Sequence, residues 1–185
     1  MKKNKVVILD RDGVINEDSD NFIKSADEWV PIEGSLEAIS RLKKAGYIVA
    51  VATNQSGLAR KLFDQHALNA MHDKMNGLLA QRGASVDSIV FCPHGPNDNC
   101  SCRKPKPGML LQICKQFGIK PEETLFVGDT LTDVQAARMA GCRPVLVKTG
   151  KGLRTLDKHG SIDGIDVYDS LSHFVREFLK GNNAK

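Results

Sequence analysis

The segment Lys5-Val-Val-Ile-Leu-Asp10-Arg-Asp-Gly13 sets the architecture of the chain. Its aliphatic residues 6–9 are too uniformly apolar for a strand with one face in water, so they predict a strand buried on both faces of a parallel sheet. In such a sheet the ligand site lies beyond the carboxyl ends of the strands. Asp10 and Asp12 follow this strand directly, and we therefore expect them at the edge of the sheet where the chemistry takes place.

Further apolar runs of the same kind alternate with segments of helical periodicity. These runs cover residues 47–52, 88–91, 124–127 and 144–147. Apolar residues recur at helical spacing within residues 36–42, 68–79, 109–113, 134–140 and 171–179. The alternation predicts an α/β fold of the Rossmann-like type, with helices on both faces of a parallel sheet. Residues 150–169 show no clear pattern, and residues 180–185 are expected to fray.

The composition fits one domain over residues 1–185. The chain is 41% hydrophobic and 26% charged, and its net charge of +4 comes from interspersed charges rather than from a basic tail. Aromatic residues make up only 5%, so a surface for stacking nucleic-acid bases is not expected. No apolar run approaches the roughly 20 residues that span a bilayer. We expect a cytoplasmic monomer that binds neither nucleic acid nor membranes.

Polar residues follow three of the predicted strands. They are Asp10 and Asp12 after the first, Thr53-Asn54-Gln55-Ser56 after the second, and Asp129 after the fourth. Each piece alone is a common turn, but parallel strands bring all of them to one edge. Asp10, Asp12 and Asp129 would supply a few oxygen ligands to an open site, which suits Mg2+. A calcium loop of the EF-hand type is excluded, because Gly13 and Asn21 stand at the wrong positions for it.

A second metal site is predicted from a cysteine cluster. Cys92, His94, Cys100 and Cys102 lie within eleven residues and match a closed tetrahedral Zn2+ site of three sulfurs and one nitrogen. Residues 95–99 between them contain no apolar side chain, so a metal is the natural way to order this loop. The alternatives are a disulfide between Cys100 and Cys102 or free thiols. Four protein ligands leave no position for a substrate, which favours a structural role.

Together these motifs resemble those of the haloacid dehalogenase superfamily of aspartate-nucleophile phosphatases. The four matching segments are Asp10-Arg-Asp-Gly-Val-Ile-Asn16, Thr53-Asn-Gln-Ser-Gly-Leu-Ala-Arg60, Arg103-Lys104-Pro105 and Gly128-Asp129 with Asp133. The resemblance implies that Asp10 attacks phosphorus and becomes an aspartyl phosphate. It also implies that Asp12 protonates the leaving alkoxide and then activates water. The chain has no insertion large enough for a cap domain, so a capless form of the fold is expected.

The same resemblance implies the ligands. The side chains of Asp10 and Asp129 and the backbone carbonyl of Asp12 would bind Mg2+, Thr53 and Lys104 would hold the phosphoryl oxygens, and Asp133 would support its loop. The residues expected to bind phosphate or the rest of the substrate are Arg11, Asp18, Ser19, Asp20, Asn21, Thr53, Asn54, Gln55, Ser56, Arg103 and Lys104.

Within the superfamily, the cysteine loop is similar to that of two groups, the heptose 1,7-bisphosphate 7-phosphatases and the histidinol-phosphate phosphatases. Asn16, Ser56 and the segment Gly57-Leu-Ala-Arg60 favour the heptose group, which implies a small phosphorylated sugar as substrate and a place in nucleotide-activated heptose synthesis for lipopolysaccharide. Two features depart from the pattern of the heptose group. Thr130 stands where many heptose enzymes carry a lysine, and the gap between His94 and Cys100 is similar to that of the histidinol group. A zinc-binding interaction module without activity is the alternative from another class.

Overall fold

A computed structural model describes residues 5–183 of the chain and places a sheet of six parallel strands at its centre. The strands are β1 (Lys5–Leu9), β2 (Tyr47–Asn54), β3 (Ser88–Cys92), β4 (Leu125–Gly128), β5 (Arg143–Val147) and β6 (Asp166–Tyr168). The helices are α1 (Ser35–Lys44), α2 (Gln65–Ala80), α3 (Gly108–Phe117), α4 (Leu131–Ala140), α5 (Gly152–His159) and α6 (Leu171–Asn183). The predicted α/β fold is confirmed.

The strand order β3-β2-β1-β4-β5-β6 puts β1 between β2 and β4. Val7 of β1 is in register with Val49 of β2 on one side and with Leu125 of β4 on the other. The chain builds outward from β1 to β3 and then crosses to β4 on the opposite side. The point where the order reverses lies next to β1, and this is where open α/β sheets bind ligands.

Alternate residues of the strands face two separate cores. Val7 and Leu9 pack with residues of α1, α2 and α6, whereas Val6 and Ile8 pack with residues of α3 and α4. All four side chains are at most 2% exposed, which explains why the strand sequence is apolar at every position. The two layers of helices hold β1, and hence the residues after it, in a rigid frame.

The start of α6 and the end of α4 follow capping signals in the sequence. The Ser170 hydroxyl accepts a hydrogen bond from the backbone N–H of His173 at 3.1 Å, and α6 begins at the next residue, Leu171. Gly141 follows α4 with φ of 81°, a left-handed conformation that suits glycine. The connection from β1 to α1, residues 10–34, contains no helix or named strand and inserts no domain over the sheet.

The segment that lacked a sequence pattern contains α5 and β6. Strand β6 has only three residues, and Val167 is exposed, so it carries no apolar run to recognise. Helix α6 continues to Asn183, beyond residue 180, where the sequence predicts fraying; residues 184 and 185 lie outside the described part of the chain. Across residues 5–183, no helix has the length and apolar character needed to cross a membrane.

Candidate active site

The carboxyl ends of β1, β2 and β4 open into one cavity of about 320 Å³. It is polar, and it is surrounded by loops rather than by a separate domain. The lining residues include Asp10, Asp12, Asp18, Ser19, Asp20, Phe22, Thr53, Asn54, Gln55, Ser56, Arg60, Arg103, Lys104, Asp129, Thr130, Asp133 and Lys151.

Lys104 lies at the floor of this cavity and joins two of its carboxylates. Its ammonium is 2.7 Å from Asp10 Oδ2 and 2.7 Å from Asp133 Oδ1, and it donates to the Ala52 carbonyl at 3.0 Å. The residue is only 4% exposed. Although burial disfavours the ammonium, the charges of Asp10 and Asp133 raise the pKa of Lys104, so it stays positively charged.

A third buried carboxylate, Asp129, lies beside this pair. Single ligand oxygens of Asp10, Asp129 and Asp133 all lie within 4.8 Å of one another. Burial raises the pKa of Asp10 to about 7, with Lys104 acting in the opposite direction. Burial and the charges of Asp133 and Asp10 also raise the pKa of Asp129 well above its ordinary value. One ammonium against three carboxylates leaves negative charge uncompensated, and this all-oxygen donor set fits Mg2+.

Asp12 lines the same cavity, and its carboxylate is held by three side-chain donors. The Arg11 guanidinium bonds to Asp12 Oδ1 and Oδ2 at 2.8 and 3.1 Å, Asn16 donates at 2.9 Å, and Gln55 donates at 2.9 Å. Burial acts to raise the pKa of Asp12, but the Arg11 charge and these hydrogen bonds outweigh it and lower the pKa. The side chain is thus oriented as an ionised carboxylate.

Arg11 is itself fully buried and connects Asp12 to helix α2. Its Nη1 lies 3.4 Å from Nε2 of His72, which is 8% exposed. Burial, and secondly the Arg11 charge, lower the pKa of His72 to about 4, so the imidazole is neutral. Helix α2 therefore supports Asp12 through two buried side chains.

The end of β2 supplies a hydroxyl and a clamp for Lys104. The Thr53 hydroxyl accepts a hydrogen bond from Gln55 at 3.0 Å, and Thr53 lines the same cavity as Asp12 and Lys104. Asn54 accepts from the Lys104 backbone N–H and donates to the Lys104 carbonyl, both at 3.1 Å. This two-way contact fixes Lys104 although it comes from a distant loop.

The loop after β4 is fixed by Asp133. Asp133 Oδ2 accepts hydrogen bonds from the Thr130 N–H at 3.0 Å, the Asp129 N–H at 3.3 Å and the Thr130 hydroxyl at 2.5 Å. The bond from the Thr130 N–H is one half of the capping box of α4, and in the other half the Thr130 side chain accepts from the Asp133 backbone. Asp133 thus shapes the loop that presents Asp129, while its other oxygen contacts Lys104.

The loop after β5 closes against Asp129 from the other side. The Lys151 N–H donates to Asp129 Oδ2 at 2.7 Å, and the Thr155 hydroxyl donates to the Asp129 carbonyl at 3.0 Å. The Thr149 hydroxyl donates to the Gly13 carbonyl at 2.7 Å. A Cβ on Gly150, whose φ is 57°, would lie 2.3 Å from Asp129 Oδ2. Only glycine permits this close approach.

The predicted zinc ligands also come together. The Cys92 sulfur lies 3.7 Å from that of Cys100 and 3.2 Å from that of Cys102, and His94 Nδ1 lies 3.5 and 3.3 Å from Cys92 and Cys102. Ligands about 2.3 Å from a tetrahedral zinc lie about 3.8 Å apart, so this donor set fits Zn2+. The cluster leads directly into Arg103, whose guanidinium donates to the His94 carbonyl at 3.1 Å, and into Lys104.

The sequence and fold comparisons agree with this arrangement. A family model of haloacid dehalogenase-like hydrolases matches residues 5–141, which contain the nucleophile candidate Asp10, the lysine Lys104 and the acidic loop at Asp129. The chain belongs to the haloacid dehalogenase-like hydrolases.

Relatives in this family have names that state their activity. The D-glycero-beta-D-manno-heptose-1,7-bisphosphate 7-phosphatase of Pseudomonas aeruginosa is 56% identical over 175 residues, which cover 95% of this chain and 98% of that protein. A crystal structure of the D,D-heptose 1,7-bisphosphate phosphatase of Bordetella bronchiseptica, complexed with magnesium and phosphate, has a TM-score of 0.93 and 52% identity. It covers 96% of this chain and 99% of its own. The corresponding enzyme of Burkholderia thailandensis has a TM-score of 0.75 and 46% identity, covering 95% and 99%. This haloacid dehalogenase-like hydrolase is a phosphoric monoester hydrolase.

Two residues predicted to bind substrate in this hydrolase lie elsewhere. Arg11 is buried against Asp12 and His72 and is absent from the cavity lining. It therefore contacts Asp12 rather than the substrate. Asn21 is exposed, and its carbonyl accepts a hydrogen bond from Lys24, outside the cavity lining. Asp18, Ser19 and Asp20, from the same loop, do line the cavity.

Two further residues of the hydrolase site, Lys151 and His72, carried no usable signal in the sequence, whereas a third did. Lys151 lies in the segment without a pattern, and its ammonium is 2.7 Å from Asp18 at the entrance. His72 is one of several isolated histidines, and only its contact with Arg11 connects it to the site. Asn16 could have been identified as a donor to Asp12, because it closes the first motif.

Proposed function

We propose that the protein is a Mg2+-dependent phosphatase that removes the 7-phosphate of D-glycero-D-manno-heptose 1,7-bisphosphate through an aspartyl-phosphate intermediate. The observation that carries this proposal is the placement of Asp10 against Lys104, at the floor of a polar cavity that Asp12 and Thr53 also line. The names of the relatives supply the substrate, and the resulting heptose 1-phosphate would enter the synthesis of nucleotide-activated heptose.

In the first step, an Asp10 oxygen forms a bond to phosphorus while the bond from phosphorus to the sugar oxygen breaks. Lys104 and the Thr53 hydroxyl hold the non-bridging phosphoryl oxygens. The leaving alkoxide takes a proton from Asp12, because an alkoxide leaves poorly without one. The negative charge of the substrate phosphate favours the neutral form of Asp12 in this complex and so supports its role as acid.

In the second step, Asp12 removes a proton from water, and the hydroxide formed attacks the phosphorus of the aspartyl phosphate. The acyl phosphate bond breaks, which returns the Asp10 carboxylate and releases phosphate. The donors on Asp12 from Arg11, Asn16 and Gln55 favour its carboxylate form, which is the form a base needs. Since these donors also fix its orientation, Asp12 is preorganised for both transfers.

The carboxylates of Asp10 and Asp129, with the backbone carbonyl of Asp12, would hold Mg2+. When bound, Mg2+ offsets the repulsion between a carboxylate nucleophile and an anionic phosphate. Asp133 would support this site through its contacts with Lys104 and with the N-terminus of α4.

Cys92, His94, Cys100 and Cys102 would hold a structural Zn2+. The short distances between their sulfur and nitrogen atoms support this proposal, as does the hydrogen bond from Arg103 to the His94 carbonyl. An ordered zinc loop would place Arg103 and Lys104 at the cavity. A monomeric state and a cytoplasmic location stay predictions from the sequence.

A comparison of two substrates tests the proposal. With Mg2+ present, we expect kcat/KM to be higher for heptose 1,7-bisphosphate than for histidinol phosphate. The short loops around Asp18 and Asp20 leave the cavity open to a polyhydroxylated ester. Faster turnover of histidinol phosphate would assign the protein to the other group. If the protein releases no phosphate from any ester tested, a zinc-binding module without activity would be favoured.

A further inference from the structure

His72 of helix α2 lies outside the cavity but contacts the arginine that holds Asp12. Its Nε2 atom is 3.4 Å from Nη1 of Arg11. The residue is 8% exposed, and it is absent from the cavity lining. It is therefore a buried polar side chain that the proposed mechanism does not yet use.

Arg11 holds both carboxylates of the first motif. Its backbone N–H donates to Asp10 Oδ1 at 2.7 Å. In its side chain, Nε and Nη2 donate to Asp12 Oδ1 at 3.1 and 2.8 Å, and Nη2 also donates to Asp12 Oδ2 at 3.1 Å. Because the guanidinium is planar and rigid, a tilt would change all the side-chain bonds together. The orientation of Asp12 therefore depends on what fixes the third nitrogen, Nη1.

His72 is the partner of that third nitrogen. Within residues 5–183, the Nη1 group of Arg11 has no other acceptor. A guanidinium N–H can only donate, so His72 Nε2 is the acceptor and the neutral ring carries its proton on Nδ1. Arg11 is fully buried, and loss of this acceptor would leave an unsatisfied N–H that no water reaches. The guanidinium would then turn toward another acceptor and disturb its bonds to Asp12.

The His72 ring is fixed by its surroundings. Its centroid lies 6.3 Å from that of Phe91 in β3. In the helix, the preceding residue Met71 and the nearby Met75 are fully buried in the same core as Leu9 of β1. Buried packing of this density restricts side-chain movement. His72 therefore holds Arg11 from a fixed position.

We propose that His72 is a positioning residue for the proton transfers of Asp12. It fixes the Arg11 guanidinium, and the guanidinium aims the Asp12 carboxylate at the leaving oxygen and later at water. This inference rests on the proposed function, which makes Asp12 the acid and the base. Proton transfer depends steeply on the distance and direction between donor and acceptor, so a small turn of Asp12 slows it.

The test compares two esters that differ in their need for an acid. A sugar alkoxide leaves only with a proton, whereas p-nitrophenolate is a weak base and leaves without one. In His72→Leu the acceptor is lost, and we expect kcat/KM for heptose 1,7-bisphosphate to fall about 10- to 100-fold, through kcat. This ratio includes the transfer to Asp10 but not the later hydrolysis, so for p-nitrophenyl phosphate it should change less than about twofold.

Two further variants complete the design. His72→Gln offers an amide oxygen to Arg11 in place of the imidazole nitrogen, and kcat/KM for the bisphosphate should stay within about threefold of the wild type. His66→Leu changes an exposed histidine of the same helix outside the cavity, and it should alter the turnover of neither ester.

The outcomes separate this role from general damage and from the proposed function. An equal fall for both esters in His72→Leu, no fall for either, or an equal loss in His72→Leu and His72→Gln would overturn the positioning role while leaving the phosphatase intact. If the wild type hydrolyses histidinol phosphate instead of the heptose bisphosphate, that alkyl ester takes its place in the comparison. If the wild type hydrolyses no ester, the proposed function fails and the positioning role fails with it.

The tautomer of His72 gives a measurement that needs neither a variant nor turnover. In nitrogen-15 NMR spectra of the wild type at neutral pH, we expect a protonated Nδ1 and an unprotonated Nε2, because Arg11 donates to Nε2. A proton on Nε2 would show that the contact with Arg11 is absent and would overturn the positioning role.

Discussion

At the scale of single residues, the active site is a set of charges that depend on one another. Lys104 is buried between Asp10 and Asp133, and Arg11 is buried against Asp12. A buried charge is tolerated only with a partner, so each of these cations both supports the fold and sets the state of a catalytic carboxylate. A substitution at one of these residues can change both stability and activity, so its effect on the free energy of unfolding should be measured together with its effect on kcat/KM.

The first prediction concerns the nucleophile. Asp10→Asn keeps the size of the side chain but removes the attacking carboxylate, so kcat should fall by more than about a thousandfold. Phosphate release from heptose 1,7-bisphosphate measures this, with thermal unfolding to show that the variant is folded. Asp73→Asn, at an exposed aspartate of α2, is the matched control and should keep its rate. A rate near that of the wild type in Asp10→Asn would remove Asp10 as the nucleophile.

The second prediction concerns His72 and pH. Because the pKa of His72 in the fold is lowered to about 4, from an ordinary 6.5, the unfolded chain takes up a proton at a higher pH than the folded chain does. Stability from this group is present above pH 6.5 and is lost as the pH falls toward 4. The expected loss in the free energy of unfolding between pH 7 and 5 is about 2 kcal/mol.

Urea unfolding at these two pH values, in the wild type and in His72→Gln, measures this contribution. Every other titrating group is shared, so the pH dependence of the variant should be smaller by that amount. Equal pH dependence in the two proteins would show that His72 does not titrate in this way.

At the scale of elements, the loops after β1 and β5 are packed into direct contact at Gly13 and Gly150. A Cβ on Gly150 would lie 2.4 Å from the Gly13 Cα. The same loop donates the Lys151 N–H to Asp129, so the packing of two backbones determines where a carboxylate of the site lies.

Gly150→Ala should therefore impair catalysis, and Gly118→Ala is its matched control. Both glycines have positive φ, 57° and 62°, but a Cβ on Gly118 meets nothing within 4 Å. We expect Gly118→Ala to cost about 1 kcal/mol of stability without loss of activity. In Gly150→Ala, displacement of Asp129 should also lower kcat/KM by about 100-fold, measured with heptose bisphosphate. Similar activities in the two variants would contradict this account.

The elements differ in how far the sequence predicts them. Strands β1, β2 and β4 were predictable because both of their faces are largely buried, and β3 and β5 because each carries a short apolar run. Strand β6 was not, because it is a three-residue edge strand whose pairing to β5 depends on backbone hydrogen bonds rather than on burial. The proximity of Asp10, Thr53 and Asp129 could be predicted from the sequence, because all three lie at the carboxyl ends of parallel strands. The orientations of Arg11 and Lys151 do not, since they depend on contacts between distant loops.

At the scale of the whole molecule, the zinc loop connects the edge strand β3 to the cavity floor. It carries the chain from Cys92 at the end of β3 to Lys104, whose backbone is clamped by Asn54 of β2. A well-ordered loop therefore helps to fix the position of Lys104, although Lys104 is not a member of the cysteine cluster.

Loss of zinc should weaken both the fold and the activity. Metal analysis should find about one zinc per chain, and Cys100→Ser should lose it. We expect Cys100→Ser to lower the free energy of unfolding by at least about 2 kcal/mol, and Tm by about 4 to 8 °C. Cys142→Ser changes a cysteine outside the cluster and should keep the zinc. A metal-free wild-type protein of undiminished stability would refute a structural zinc.

The contact between Gly13 and the loop after β5 also affects the point during translation at which the enzyme becomes active. Asp10, Asp12, Lys104 and Asp129 all lie within the region, residues 5–141, that the family model matches. Residues 149–155, which hold Gly13 and Asp129 in place, are translated later. A nascent chain released at residue 141 would carry every recognisable motif and still lack a working catalytic centre, so we expect activity to arise only after residues 149–155 have left the ribosome and docked.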